Sequence, residues 1–121
     1  MSYDNNNIFA KILRGEIPCK KIYEDEFVLS FYDINPQKKV HALVIPKGKY
    51  TDLDDFSSKA SSEEMVGLLK GINTVAKKLG ISSDTGKGYR ALANISEDGG
   101  QEVPHLHFHL FGGEKVGRMV Q

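Results

Sequence analysis

A seven-residue run near the carboxyl end of this 121-residue chain constrains its fold most strongly, because histidines alternate there with apolar residues. The histidines are His105, His107 and His109. A period of two is typical of a β-strand, in which successive side chains point to opposite faces. We therefore predict a strand over 103–111 with all three imidazoles on one face. The opposite face would point into the core with the apolar side chains Leu106, Phe108 and Leu110.

Two segments carry helix signals. Asn7 can cap a short amino-terminal helix, and Ser61 with Glu64 matches a capping box. The capping box precedes a long segment with apolar residues at helical spacing, which predicts a helix that ends at Gly80. The segment 48–62 between the two helices is polar and rich in serine, so we predict a loop with one short helical turn there.

Further strands are predicted wherever the pattern has a period of two or is rich in β-branched residues. These segments are 21–33, 41–45 and 89–94. An alternative for the first segment is a separate short strand around 22–23 that precedes the main strand. Two helices and about five strands in this order predict an α+β fold with a mainly antiparallel sheet. No linker divides the chain, so we predict one domain over 1–121 with a flexible tail over 1–6.

Composition argues against several classes of protein. Sixteen basic residues balance sixteen acidic ones, whereas proteins that coat nucleic acid or anionic membranes usually have a basic excess. The apolar runs are far shorter than the roughly 20 residues that span a bilayer. The start of the chain is polar, unlike a signal peptide, and the lone Cys19 cannot form an internal disulfide. We expect a cytoplasmic protein that binds neither nucleic acid nor membrane.

The residues alone leave three interpretations of the histidine run open. It can be a surface strand without function. It can contribute two neighbouring histidines to a zinc site with His41, although His105 and His109 would lie about 13 Å apart on a strand and would not share one ion. It can also provide nucleophilic catalysis by His107, oriented by its neighbours. The glycines at 99–100 let backbone approach an anion closely, which favours a phosphate-sized electrophile.

The run from His105 to Phe111 resembles the signature of the histidine triad (HIT) family at every position. The similarity extends in order through the Hint branch of that family, over about Ile8 to Gly113, at segments 8–13, 16–18, 23–25, 33–37, 43–47, 88–90 and 99–101. The resemblance implies a HIT-like homodimer that binds purine nucleoside monophosphates. It also implies hydrolysis of the P–N bond of purine nucleoside phosphoramidates, with no metal and no cofactor.

The resemblance further implies a role for each site residue. His107 would attack the α-phosphorus and form a nucleotidyl-imidazole intermediate. His105 and His41 would orient and polarise the site, and His109 would contact phosphate oxygens or the leaving group. Asp33 matches the acid that binds ribose. The base pocket would be formed by Ile8, Phe9, Ile12, Phe31, Ile34 and Leu43. The loop on the phosphate side would contribute Asn94, Gly100, Gln101, Glu102 and Val103.

Periodicity alone favours a plainer interpretation of some of these residues. By that criterion Phe9, Ile12 and Leu43 are core residues, Asp33 is a turn residue and His41 is a buried structural histidine.

Three positions depart from the family pattern. Glu102 replaces a serine that some Hint proteins have, and a carboxylate repels phosphate unless it is protonated, turned away or paired with a cation. Preference for a basic, lysine-like leaving group is therefore one option. Lys49 and Glu114 replace a histidine and an arginine. Two other functions stay open: a nucleotide-binding regulatory module with incidental hydrolysis, and a dinucleoside polyphosphate hydrolase or nucleotidyl transferase of another HIT branch.

Overall fold

The computed structural model describes residues 2–120, which contain three helices and five strands. The strands form one antiparallel sheet in the order β1-β2-β3-β5-β4, which confirms the predicted α+β class. Within this part of the chain, no helix is long and apolar enough to cross a membrane. In chain order the elements are α1 Ile8–Leu13, β1 Lys21–Glu24, β2 Val28–Tyr32, β3 Val40–Pro46, α2 Leu53–Lys59, α3 Ser62–Lys78, β4 Arg90–Leu92 and β5 Phe108–Gly112.

Side chains at the helix starts explain where the helices begin. The Asn7 side chain accepts a hydrogen bond from the backbone N–H of Ala10 at 2.9 Å and so caps α1. Ser61 and Glu64 form the predicted capping box at the start of α3. Each cap satisfies backbone donors that have no partner inside the helix.

The two faces of the sheet are covered by different helices. Helix α3 packs on one face over a cluster of buried apolar residues: Val28, Ala42, Val44, Leu68, Ile72, Val75, Leu106 and Leu110. On the other face a second cluster contains the α1 residue Phe9 with Leu29, Phe31, Leu43 and Ile45. His41 shares the strand parity of Leu43 and Ile45, so its imidazole lies on the face that α1 covers. The histidine site and the long helix are therefore on opposite sides of the sheet.

The strand predicted over 103–111 was wrong at its beginning, since β5 starts only at Phe108. Pro104 has no N–H to give to a ladder. The N–H of His105 turns back to the carbonyl of Val103, and the N–H of Leu106 donates to the carbonyl of Tyr50, outside the sheet. The first two histidines of the run thus lie on irregular backbone that leads into β5.

Two other boundaries differ from the prediction. The segment 21–33 is divided because the Asp25 carboxylate accepts hydrogen bonds from the N–H groups of Phe27 and Val28, which closes a tight turn. This confirms the alternative of a separate first strand. The polar segment 48–62 contains the full helix α2 where only one turn was predicted, because Asp52 caps it by accepting from the N–H of Asp55.

Candidate active site

Strand pairing brings His41 and His109 together. Strands β3 and β5 are antiparallel neighbours in which His109 is paired with Leu43, two residues from His41. The Nε2 atom of His41 lies 2.9 Å from Nδ1 of His109. Asp33 follows β2, and its Oδ2 lies 3.4 Å from the same Nε2. Polar side chains from β3, from β5 and from the residue that follows β2 therefore meet at one point.

Hydrogen bonds to backbone define the protonation of the central imidazole. Nδ1 of His107 lies 2.7 Å from the carbonyl oxygen of His105. A carbonyl oxygen only accepts, so Nδ1 carries the proton and donates it. In the neutral ring Nε2 then has a free lone pair, which is what a nucleophile needs.

Both ring nitrogens of His105 are also occupied. Nε2 lies 2.9 Å from the carbonyl oxygen of Pro46, at the end of β3, and must therefore donate. Nδ1 lies 2.5 Å from the hydroxyl of Tyr3, which donates to it. With both nitrogens bonded and no exposed surface, His105 is a fixed part of the site wall.

The same reasoning assigns the protons of the second histidine pair. Nδ1 of His41 accepts from the backbone N–H of Gln37 at 3.2 Å, so in the neutral ring Nε2 carries the proton. That proton is donated to Nδ1 of His109. The remaining N–H of neutral His109 is therefore on Nε2, where it is available as a donor to a bound ligand.

Burial keeps these four histidines neutral. It lowers the pKa of His105 and of His109 to about 4, and in His109 the neighbouring imidazoles lower the pKa further. Burial also lowers the pKa of His107, an effect that the carboxylates of Asp33 and Glu102 partly oppose, and it lowers the pKa of His41. Near neutral pH the site thus contains an unprotonated ring nitrogen on His107 and a neutral N–H donor on His109.

An apolar wall lies beside the central imidazole. The ring of Phe9 meets His107 edge-on at 4.9 Å between centroids and Phe31 at 5.6 Å. Phe31 and Leu43 are buried in the same cluster as Phe9, with Ile12 packed against it. Two other predicted pocket residues are exposed: Ile8 at 42% and Ile34 at 87%. Ile34 nevertheless borders a cavity of about 640 Å³ that Asp33 and His41 also line.

The loop on the phosphate side is shaped by Gln101. Its side-chain oxygen accepts from the N–H of Ser96, and its Nε2 donates to the carbonyls of Thr51 and Val103 at 2.7 and 2.9 Å. Gly100 next to it has a φ of 77°, which suits glycine. The three bonds to backbone show that the Gln101 side chain determines the loop conformation. Val103 packs on the cluster around Phe9, Asn94 is half-buried and Glu102 is exposed.

Among residues 2–120, one group has donor atoms placed for a metal ion: Asp33, His41 and His109 each offer one atom, all within 4.8 Å of one another. This set differs from the zinc alternative considered from the sequence, which paired His41 with two neighbouring histidines of the run. The hydrogen bond between His41 and His109 already uses both of their facing nitrogens. A metal ion would have to displace the proton that this bond contains.

Sequence reasoning missed two contributors to the site. Tyr3 lies in the segment predicted as a flexible tail, yet its hydroxyl bonds to His105. The Gln37 N–H determines the tautomer of His41 through backbone alone, so its side-chain type gives no signal. The one sequence feature that could have indicated a role for Tyr3 is that it is an aromatic residue in an otherwise polar amino-terminal segment.

Comparison with known proteins identifies the class. A family model described as the HIT domain matches residues 14–116. A 13.2 kDa HIT-like protein of Azospirillum brasilense is 54% identical over 119 residues, covering 98% of this chain and 95% of that protein. Purine nucleoside phosphoramidase of Escherichia coli (strain K12) is 40% identical over 114 residues, covering 93% and 92%. A solved HIT family hydrolase from Clostridium thermocellum has a TM-score of 0.86 and 37% identity, covering 98% and 99%.

A five-stranded antiparallel sheet with a run of alternating histidines that leads into β5 is the arrangement of a histidine triad protein, and the chain belongs to the HIT domain family. Its relatives and structural neighbours in that family include a purine nucleoside phosphoramidase and a HIT family hydrolase. The predicted resemblance to the family is thus confirmed.

Proposed function

We propose that the protein hydrolyses the P–N bond of purine nucleoside phosphoramidates through a covalent nucleotidyl-His107 intermediate. The observation that carries this proposal is the hydrogen bond from Nδ1 of His107 to the carbonyl oxygen of His105, which leaves Nε2 unprotonated. The similarity to the Escherichia coli purine nucleoside phosphoramidase supports the substrate class. The apolar wall around Phe9 supports a base next to the attacking ring.

The reaction has two steps. First, the lone pair of His107 Nε2 forms a bond to the α-phosphorus while the P–N bond breaks and the amine departs. Second, water attacks the phosphorus, the bond to Nε2 breaks and the nucleoside monophosphate leaves. Over both steps water supplies the oxygen on phosphorus and the proton on the amine. The leaving amine takes this proton from water, and the Nε2–H of neutral His109, held by His41, is placed to donate a hydrogen bond to a phosphate oxygen or to the leaving group.

The nucleotide would bind across the same face of the sheet. Asp33 offers the carboxylate for the ribose hydroxyls, and the phosphate would lie near the loop that Gly100 and Gln101 shape. Glu102 is exposed and close enough to influence the pKa of His107. A carboxylate there favours a leaving group that carries a positive charge, such as a lysine-like amine. The remaining contacts predicted for the base are Ile8, Ile12, Phe31, Ile34 and Leu43, and for the phosphate side Asn94 and Val103.

We also propose that residues 1–121 form a single domain that acts as a homodimer. Helix α3 leaves Val66 and Leu69 at 50% and 68% exposure, and β4 is an edge strand with one neighbour. An exposed apolar helix face and an open strand edge are both features that a second copy of the chain can cover. Sedimentation velocity of the wild type and of Leu69→Glu tests this, and a wild type that stays monomeric at micromolar concentration would contradict the dimer.

Trapping the intermediate tests the activity. Enzyme mixed with adenosine 5′-phosphoramidate and quenched in the steady state should carry an adenylyl group on the peptide that contains His107, detected by mass spectrometry. His107→Ala should lose both this adduct and turnover while it keeps the circular dichroism spectrum of the wild type. Turnover that persists in His107→Ala would refute the assignment of the nucleophile. Adding a dinucleoside polyphosphate to the same assay tests the other HIT chemistries, because the enzyme would then cleave that substrate in preference to the phosphoramidate. Comparing the nucleotide affinity measured by calorimetry with kcat/KM tests the binding module, which would bind nucleotide tightly and turn over slowly.

A further inference from the structure

Tyr3 makes a direct contact with the histidine site. Its hydroxyl lies 2.5 Å from Nδ1 of His105, and the two rings meet edge-on at 5.6 Å between centroids. Because Nε2 of His105 donates to the Pro46 carbonyl, Nδ1 is an acceptor and the Tyr3 hydroxyl must be the donor. Burial raises the pKa of Tyr3, so the hydroxyl stays protonated and able to donate.

The backbone around Tyr3 is held in place by its own contacts. The N–H of Asn7 and its side-chain amide both donate to the carbonyl of Asp4, at 3.3 and 2.7 Å. The guanidinium of Arg14 donates to the carbonyl of Asn5 at 2.8 Å. These bonds connect the segment to both ends of α1. Tyr3 is therefore attached to the same helix whose Phe9 packs on His107.

The contact reaches the nucleophile through His105. The carbonyl of His105 accepts the Nδ1 proton of His107, so the position of residue 105 determines which nitrogen of His107 is free. Tyr3 and Pro46 bind the His105 ring from its two nitrogens. We propose that Tyr3 is a positioning residue for the hydrolytic reaction, which fixes His105 and thereby holds His107 in its reactive tautomer. This inference rests on the proposed function. Tyr3 lies outside the family match at 14–116.

Removing the hydroxyl should affect turnover more than binding. Tyr3→Phe keeps the ring but leaves Nδ1 of His105 as a buried acceptor without a donor. The net worth of one hydrogen bond corresponds to a change of about threefold to tenfold in an equilibrium. We therefore expect kcat to fall by about threefold to tenfold, with KM within about twofold of the wild type.

The experiment compares Tyr3→Phe with Tyr23→Phe, a matched control. The hydroxyl of Tyr23 also makes a hydrogen bond, to Asp25 at 2.8 Å, but on the β1–β2 turn. Tyr23→Phe should keep kcat unchanged. Nitrogen-15 NMR of the histidine rings gives a second measurement that needs no substrate. In Tyr3→Phe the Nδ1 proton of His107 should exchange with water faster than in the wild type and in Tyr23→Phe.

The outcomes separate this inference from the proposed function. Unchanged exchange of the His107 proton in folded Tyr3→Phe overturns the role of Tyr3, whatever the rates are. A wild type that does not cleave phosphoramidates overturns the proposed function, while the NMR comparison still decides the positioning role. Should Tyr3→Phe fail to fold, Arg14→Ala loosens the same segment from outside the site, and it should also speed the exchange of the His107 proton.

Discussion

The buried, neutral His105 should make the stability of the fold sensitive to acid. Its pKa is about 4 in the folded protein because burial disfavours the charged ring, against an ordinary value of 6.5. A base whose pKa is lowered by folding binds more protons when the chain unfolds. Its contribution to stability is therefore complete above pH 6.5 and is lost as the pH falls toward 4.

The structure gives the size of this effect. His105 has no exposed surface, so solvent does not screen the cost of charging it. One pKa unit corresponds to about 1.4 kcal/mol, and the difference between 6.5 and about 4 therefore amounts to about 3 kcal/mol at most. At about pH 5 roughly 2 kcal/mol of it should already be lost.

Urea unfolding of the wild type and of His105→Gln, at about pH 7 and about pH 5, measures this contribution. The glutamine amide can still donate to the Pro46 carbonyl but does not titrate. The loss of stability between the two pH values should be smaller in His105→Gln by about 2 kcal/mol. Ser30→Ala is the control, because it removes another fully buried polar group that has no charge to gain. Equal pH dependence of the wild type and His105→Gln would show that His105 is already charged or solvated in the folded state.

Two further predictions concern catalysis and packing. Because burial lowers the pKa of His107, kcat/KM for adenosine 5′-phosphoramidate should still be on its plateau at pH 6.5 and should fall only at lower pH. A decrease of kcat/KM centred at or above pH 6.5 would contradict a neutral, buried nucleophile. In Gly67→Ala, the new Cβ would lie 2.5 Å from the Phe27 ring, so the free energy of unfolding measured in urea should fall by about 1–3 kcal/mol. The control Lys70→Ala, at an exposed position of the same helix, should change it by less than about 0.5 kcal/mol. A stabilised Gly67→Ala would mean that α3 moves away from β2 at little cost.

Short sequence patterns predicted most of the fold because the contacts behind them form between residues that are close together in the chain. The caps at Asn7 and at Ser61 with Glu64 form within three residues of the chain, and both helices begin where the caps indicate. The alternation of β3 places Leu43 on the α1 side of the sheet and Val44 on the α3 side. Helix α2 was underestimated because its single buried apolar residue, Phe56, gives almost no periodic pattern.

The histidine site was only partly predictable from the residues, because hydrogen bonds to backbone groups and to distant residues determine its protonation. The run itself and its resemblance to the HIT family indicated the four histidines. The protonation of His105 depends on partners far along the chain, namely the Pro46 carbonyl and the hydroxyl of Tyr3, which is 102 residues away from it. Backbone carbonyls and amides act here regardless of side-chain type, so no sequence pattern could report them.

The irregular backbone that precedes β5, where a strand was predicted, bears directly on the chemistry. Along a regular strand the backbone carbonyls point toward neighbouring strands and are used in the ladder. Pro104 and the turn at His105 release this part of the chain from the ladder, and the freed carbonyl of His105 accepts from the ring of His107. His109, inside β5, has no such contact and bonds to His41 instead. The change from irregular backbone to strand at Phe108 therefore gives the second and third histidines opposite tautomers: His107 has a free ring nitrogen, and His109 has an Nε2–H that can donate a hydrogen bond.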